Sequence, residues 1–191
     1  MLRKLLIILA CSGFVSNAYA QAGATAPEGL SIPGTAAIRP AADDPKVKFD
    51  YKQTGAPLPK FEIFDQYQDN ITQKVIGKSG NLFLMVFNPV CDHCEEQTRQ
   101  LLKNDSLFKE SKLLLIAAPI QVSNLSYFNA NTHFSSHTKT VTVTVDSARV
   151  LDKIFNYVEL PQINIYDGKT KRLLKTFNGI KSIDSLSSYI Q

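Results

Sequence analysis

The stretch Leu82-Phe83-Leu84-Met85-Val86-Phe87-Asn88-Pro89-Val90-Cys91-Asp92-His93-Cys94 decides the fold of this chain. Its first six residues form a continuous apolar run, which is typical of a strand buried on both faces. Leu101 and Leu102 follow the two cysteines at helical spacing, so the sequence predicts a helix that starts at the pair, with Cys94 on its inner side. Cys91 then lies just beyond the carboxyl end of a strand, where α/β sheets hold their ligands.

The segments around this stretch continue an alternation of strands and helices. Further strands are predicted at Leu113–Ala118, Val141–Val145, Gln162–Tyr166 and Leu173–Phe177. Helices are predicted from Ser123 to about His133, after an Asp146 cap, and after a Ser182 cap. A short hairpin is predicted from Phe61–Phe64 and Ile71–Thr72, ahead of the first buried strand. This pattern predicts an α/β domain with a mixed sheet and helices on both faces.

The amino-terminal residues predict export. Arg3 and Lys4 precede an apolar run, Leu5–Ala10, and small residues close the segment at Ala20, as in a secretory signal peptide. We expect cleavage near Ala20 and a periplasmic or secreted mature protein. The alternative is a lipoprotein signal with Cys11 acylated, but the apolar run before Cys11 is short for that.

The rest of the chain divides into an arm and one domain. Residues 21–57 are rich in Ala, Pro, Gly and Thr and predict a flexible or extended arm. Val47–Tyr51 alternates, which indicates an added edge strand and an arm whose second half packs on the domain. Residues 58–191 form the predicted domain.

The charge of the chain points to no special partner. The formal net charge is +4, and loss of Arg3 and Lys4 with the signal peptide lowers it by two, to +2. The sequence has no basic block interleaved with aromatic residues, so a nucleic-acid partner is not expected. It also has no basic amphipathic helix that would indicate a membrane surface.

The motif Cys91-Asp92-His93-Cys94 contains both cysteines of the mature chain. Two cysteines three positions apart at a helix start can close a reducible disulfide, and the helix dipole is expected to lower the pKa of the first thiol. Cys91 is therefore the predicted nucleophile. A protonated His93 would favour the Cys91 thiolate, whereas the negative charge of Asp92 would oppose it. The sequence does not determine whether the net effect of these two residues raises or lowers the pKa of Cys91.

Two other readings of the pair use the same residues. One is a permanent structural disulfide, although so tight a loop contributes little closure entropy. The other is a copper- or zinc-binding carrier in which Cys91 and Cys94 supply half of a tetrahedral site and His133 or His137 the rest. The gap between these halves is far longer than in a zinc finger, and the histidines lie in a polar stretch.

The motif Phe87–Cys94, followed by Val158–Pro161 and then Phe177-Asn178-Gly179, resembles the thioredoxin superfamily. The similarity is to its exported TlpA/ResA-like branch of thiol-disulfide oxidoreductases, also called redoxins. The resemblance implies a thioredoxin-like fold with a strand-helix unit inserted at about 123–155. It implies an enzyme that needs no cofactor beyond the redox-active disulfide Cys91–Cys94, and we expect this enzyme to be a monomer.

The resemblance also implies roles for individual residues. Cys91 would attack a disulfide of a client protein and Cys94 would resolve the mixed disulfide. Pro161 matches a cis-proline that faces the pair, and the backbone of Leu160 would bind the substrate. The implied function is reduction of client disulfides in the periplasm, with a membrane electron donor that resets the pair.

The proton acceptor for Cys94 does not follow from the resemblance. Met85 stands where thioredoxin itself has a buried carboxylate, and Gln97 stands where some reductases of the exported branch have a glutamate. Glu95 and Glu96 are close in sequence, but in the first turn of a helix we expect both to be solvated.

Overall fold

The computed structural model describes residues 50–64, 70–76, 80–147, 149–155 and 157–191. The strands there are β1 Leu82–Phe87, β2 Lys112–Ala117, β3 Val141–Val145, β4 Gln162–Tyr166 and β5 Leu173–Asn178. The α-helices are α1 Thr72–Ile76, α2 Asp92–Lys103, α3 Leu125–Thr132, α4 Val150–Phe155 and α5 Ile183–Ser187. Short 3₁₀ helices lie at Asp105–Leu107, Pro119–Asn124 and Phe134–Ser136. None of the helices in these ranges is long and apolar enough to cross a bilayer.

The five strands form one mixed sheet in the order β3-β2-β1-β4-β5. β1, β2 and β3 are parallel, and Phe87, Ala117 and Val145 lie side by side where these strands end. β4 runs antiparallel to β1, with Gln162 opposite Val86. The start of β4 therefore lies next to the carboxyl ends of the parallel strands.

Hydrophobic clusters cover both faces of the sheet. Leu113 and Leu115 belong to a cluster that includes side chains of α2, α3 and α5. Leu114 and Ile116 belong to a second cluster, to which α1 and α4 contribute. Successive side chains of a strand point to opposite faces, which is why β2 is buried along its whole length. The predicted mixed sheet with helices on both faces is confirmed.

The predicted elements differ from the structure mainly at their ends. The four further strands agree to within one residue, and the predicted helix from Ser123 is instead a 3₁₀ helix followed by α3. Asp146 accepts a hydrogen bond from the Leu151 amide at 2.7 Å before α4. Ser182 accepts one from the Ser185 amide at 3.3 Å and caps α5.

Within the described residues, the two segments of the predicted amino-terminal hairpin are joined by one bridge, between Phe64 and Asn70. Thr72, expected in its second strand, is the first residue of α1. The reason is local, since the side chain of Asn70 accepts a hydrogen bond from the Thr72 amide at 3.0 Å. An Asn that bonds the backbone two residues ahead favours a helix start over a strand.

The predicted signal peptide, Cys11 and most of the predicted arm lie outside the described residues. Asp50 and Tyr51 are described and form a turn rather than the expected strand. The chain meets the sheet a few residues later, where the Gly55 amide donates to the Leu173 carbonyl at 2.7 Å and the Leu173 amide donates to the Ala56 carbonyl at 2.8 Å. We call residues 55–58 the strap, because they pair with residues 171–173 at the start of β5.

Candidate active site

Cys91 occupies the position before the first residue of α2. Its carbonyl accepts hydrogen bonds from the amides of Cys94 at 2.9 Å and Glu95 at 3.0 Å, which form the first turn of the helix. The preceding loop is held by Asn88, whose carbonyl accepts from the Cys91 amide at 3.1 Å and whose side chain accepts from the Val90 amide at 3.2 Å. The loop after β1 thus presents Cys91, partly exposed, at the start of a helix.

Cys94 lies one turn further along α2 and has no exposed surface. Burial raises the pKa of its thiol well above the ordinary value, and the neighbouring Cys91 and Glu95 raise it further, against a hydrogen bond from the Asn88 backbone that lowers it. Cys94 is therefore a neutral thiol throughout the physiological range. The pair consists of free thiols, one reachable from solvent and one enclosed.

Asp92 and His93 lie between the cysteines with their side chains on the exposed side of α2. Solvent screens the interaction of exposed charges with their neighbours, so the influence of these two residues on Cys91 is moderated by water. Their role in tuning the thiol remains a prediction.

Gln97 is a fully buried polar residue on the same helix face as Cys94. Its side-chain amide donates to the Lys181 carbonyl at 3.2 Å, and its side-chain oxygen accepts from the Lys181 amide at 2.6 Å. Gln97 therefore joins α2 to the loop that follows β5. Its position three residues after Cys94 and four before Leu101 is the sequence signal that could have predicted its burial.

Glu95 is not solvated, contrary to the prediction, whereas Glu96 is substantially exposed. The Glu95 side chain is only 9% exposed and accepts hydrogen bonds from Asn131 at 3.0 Å and Arg99 at 3.4 Å. Asn131 belongs to α3, so a contact between α2 and α3 contributes to the burial of Glu95. A contact 36 residues away in sequence leaves no signal near the cysteines.

The Leu160–Pro161 peptide bond is cis, as the resemblance implied. Pro161 is buried directly before β4, and because Gln162 pairs with Val86, Pro161 lies beside the end of the strand that leads to Cys91. Leu160 is half-buried and packs against the same hydrophobic cluster as Cys91. Its backbone makes no hydrogen bond to another described residue, which leaves it available to an extended ligand.

Gly179, in the loop after β5, forms a hydrogen bond with the cis-proline turn at Leu160 and Pro161. Its amide donates to the Pro161 carbonyl at 2.9 Å, and its φ of +69° lies in the left-handed region that favours glycine. A Cβ atom there would come within 2.5 Å of the Glu159 carboxylate. The cis-proline turn, the loop after β5 and, through Gln97, α2 form one connected structure.

The structure does not bring His137 to the cysteines. Its Nδ1 atom lies 2.7 Å from the Asp105 carboxylate, just beyond the carboxyl end of α2. Cys91 lies at the other end of this 12-residue helix, about 18 Å away at the usual rise per residue. His133 is exposed after α3, and within the described ranges no three His, Cys, Asp or Glu residues are grouped to hold a metal ion.

Comparison with solved structures shows which fold this is. A Chlorobium tepidum protein provisionally assigned as the thiol:disulfide interchange protein DsbE superposes with a TM-score of 0.57 at 13% identity, over 72% of this chain and 94% of that chain. The thioredoxin domain of a thiol-disulfide oxidoreductase from Bacteroides vulgatus gives 0.55 at 15% identity, over 71% and 94%. The chain has the thioredoxin-like fold. A secreted disulfide oxidoreductase of Mycobacterium tuberculosis gives 0.51 at 16% identity, over 68% and 92%.

No protein-family model and no curated protein sequence matches the chain. With so few identical residues, the similarity lies in the course of the backbone. In this thioredoxin-like fold the cysteine pair at the start of α2 and the cis-proline before β4 lie at one edge of the sheet.

Proposed function

We propose that this chain is an exported thiol-disulfide oxidoreductase that reduces disulfides of client proteins through Cys91 and Cys94. The observation that carries the proposal is the unequal exposure of the pair at a helix start, with Cys91 reachable and Cys94 enclosed. Such a pair can form a mixed disulfide at one sulfur and resolve it from the other. The thioredoxin-like fold supports the same activity.

The proposed cycle transfers two electrons from the pair to the client. The Cys91 thiolate attacks one sulfur of a client disulfide, so that a Cys91–client bond forms and the other client sulfur leaves as a thiolate. Cys94 then loses its proton and attacks the Cys91 sulfur, which releases the second client thiolate and leaves the Cys91–Cys94 disulfide. A dithiol donor, by resemblance a membrane protein, reduces the pair again.

Leu160 and Pro161 are the proposed client-binding residues. The half-buried position of Leu160 and its unpaired backbone support pairing with an extended client segment beside the cysteines. The periplasmic location rests on the predicted signal peptide, and reduction as the direction of the reaction rests on the resemblance.

Replacement of the resolving cysteine tests the cycle. We expect Cys94→Ala to retain attack on disulfides and to accumulate covalent adducts with clients, because no thiol remains to resolve them. Non-reducing gels after exposure to a disulfide-bonded protein should show adducts that disappear on reduction. Cys91→Ala is the matched control and should form none. Adducts with Cys91→Ala and none with Cys94→Ala would show that the roles are reversed.

A further inference from the structure

A cavity of about 540 Å³ runs along β3, the outermost strand at one end of the sheet. One wall contains Phe64 and Ile71, which precede α1, and Ile71 packs with the cluster on that face. The other wall contains Val122, Leu125 and Phe134, two of which pack with the cluster on the opposite face. The cavity, which we call the edge groove, therefore lies in the plane of the sheet between its two layers.

The floor of the edge groove is the outer backbone edge of β3, with which no strand of the described residues pairs. The Leu113 amide donates to the Thr140 carbonyl, and the Asp146 amide donates to the Ala117 carbonyl. In a parallel ladder alternate residues direct their backbone groups to the neighbouring strand, so even-numbered residues of β3 face β2. The amide and carbonyl of Val143, midway along the strand, then face the groove. An exposed strand edge of this kind is a template for one more strand.

The walls restrict what can lie on this edge. Among the described residues that line the groove, none carries an ionisable side chain, and the polar side chains are the hydroxyls of Ser135, Thr138, Thr142, Thr144 and Ser147. A charged segment would therefore lose hydration without gaining an ion pair. A slot between two layers accommodates a single extended segment more readily than the edge of a second sheet. The strap shows the same arrangement at the other end of the sheet, where an extended segment bonds to β5.

One end of the edge groove lies where the parallel strands finish, the side of the sheet that also holds the cysteines. Val122 and Val145 lie at its end where the parallel strands finish, and Val145 is aligned with Ala117 and Phe87 across the sheet. Two strand spacings separate Val145 from Phe87, about 10 Å. Cys91 follows Phe87 by four residues, so a few extended residues span the distance from groove to thiol.

We propose that the edge groove binds an uncharged, extended segment of the client polypeptide as a sixth strand, next to the disulfide that Cys91 attacks. The assignment to a client rests on the proposed function. Main-chain hydrogen bonds to Val143 supply affinity, and the apolar walls select alternate side chains that lack charge. The groove then favours unfolded clients, because an unfolded chain offers many free extended segments.

Binding is tested with an uncharged, cysteine-free nonapeptide in which valine alternates with threonine. We expect amide hydrogen exchange at Val143 to slow by about tenfold or more when the peptide saturates the protein, because that amide gains a partner. The Val141 amide, which already donates to the His137 carbonyl, is the internal control and should not change. The same peptide with a central aspartate should bind about tenfold more weakly.

Two variants assign the effect to the edge groove. Val143→Pro removes one outward-facing donor from an edge strand, where proline is tolerated, and should weaken peptide binding about tenfold. Val122→Asp places a charge in the wall and should do the same. Ile120→Asp is the matched control, because Ile120 is an exposed apolar residue of the same 3₁₀ helix outside the groove.

Reduction assays separate this proposal from the proposed function. Val122→Asp should lower kcat/KM about tenfold for a disulfide flanked by the valine-threonine peptide and leave reduction of a small aromatic disulfide unchanged.

Two results would contradict peptide binding in the edge groove. One is an exchange rate at Val143 that the peptide does not change, and the other is equal peptide binding by wild type, Val143→Pro and Val122→Asp. Protection of the Val143 amide from exchange in the absence of peptide would also contradict the proposal. If that protection depends on protein concentration, the groove is occupied by a second copy of the chain, and if it does not, the groove is occupied by another segment of the same chain. Failure of the wild type on the small disulfide contradicts the proposed function instead.

Discussion

Cys91 and Cys94 are separated by one helical turn, and their surroundings set opposite chemical properties. Cys91 is partly exposed at the start of α2, whereas Cys94 faces the hydrophobic cluster between the helix and the sheet. The thiol of Cys94 has a raised pKa mainly because its thiolate would lose hydration in that cluster. Proton loss from Cys94 is thus a separate requirement of the proposed resolving step.

The raised pKa of Cys94 gives stability a distinctive pH dependence. Above the ordinary pKa of a thiol the unfolded chain ionises at Cys94 while the folded chain keeps its proton, so the free energy of unfolding falls as pH rises. Under reducing conditions we expect this contribution to have a slope of at most about 1.4 kcal/mol per pH unit above pH 9. Urea unfolding of wild type and Cys94→Ala between pH 7 and 10 isolates it, because all other titrating groups are shared. Equal slopes would contradict the burial of this thiol.

At the scale of elements, polar side chains fix α2 against two neighbours. Gln97 bonds the backbone of Lys181 in both directions, and Glu95 bonds Asn131 of α3. Since the Gly179 amide holds the Pro161 carbonyl, the first of these links reaches from the cysteine helix to the cis-proline turn. A helix that packed through apolar contacts alone could slide, whereas these bonds specify its position relative to the turn.

Gln97→Ala tests the link between α2 and the loop after β5. The variant removes two hydrogen bonds and leaves the Lys181 amide and carbonyl without their partner, so we expect a loss of about 1–3 kcal/mol in the free energy of unfolding. Gln100→Ala on the same helix removes only a contact with Glu96 near the surface and should cost about 0.5 kcal/mol or less. Urea denaturation measures both. A loss at Gln97 no greater than that at Gln100 would disprove the link.

At the scale of the whole molecule, the sequence predicts the alternation of elements because each strand and helix carries its own periodicity. It also predicts the position of Cys91, since a buried strand and an amphipathic helix flank it directly. The order of strands, the burial of Glu95 and the walls of the edge groove depend on contacts between distant segments. Such contacts have no local pattern, and at residues 61–72 a side-chain hydrogen bond replaced the predicted strand with a helix start.

The strap pairs with the chain at the β5 end of the sheet, whereas β3 is the outermost described strand at the other end. The contribution of the strap can be tested at Gly55. Its φ of +87° is strained for any residue with a Cβ atom, although the space around it is open. We expect Gly55→Ala to lower the free energy of unfolding by about 1–2 kcal/mol through backbone strain alone. The adjacent Thr54→Ala, at an exposed position, should change it by about 0.5 kcal/mol or less. Thermal or urea unfolding decides, and equal effects would show that the strap does not depend on this conformation.

The enclosure of Cys94 also determines how the protein should respond to peroxide. Of the two cysteines of the pair, Cys91 is the one that an oxidant in solution can reach, and a two-electron oxidation there gives a sulfenic acid. The Cys94 thiol one turn away can condense with that group, which forms the Cys91–Cys94 disulfide and releases water. We therefore expect oxidation of Cys91 to end in the reversible disulfide of the proposed cycle, while Cys94→Ala would progress to the irreversible sulfinic and sulfonic acids.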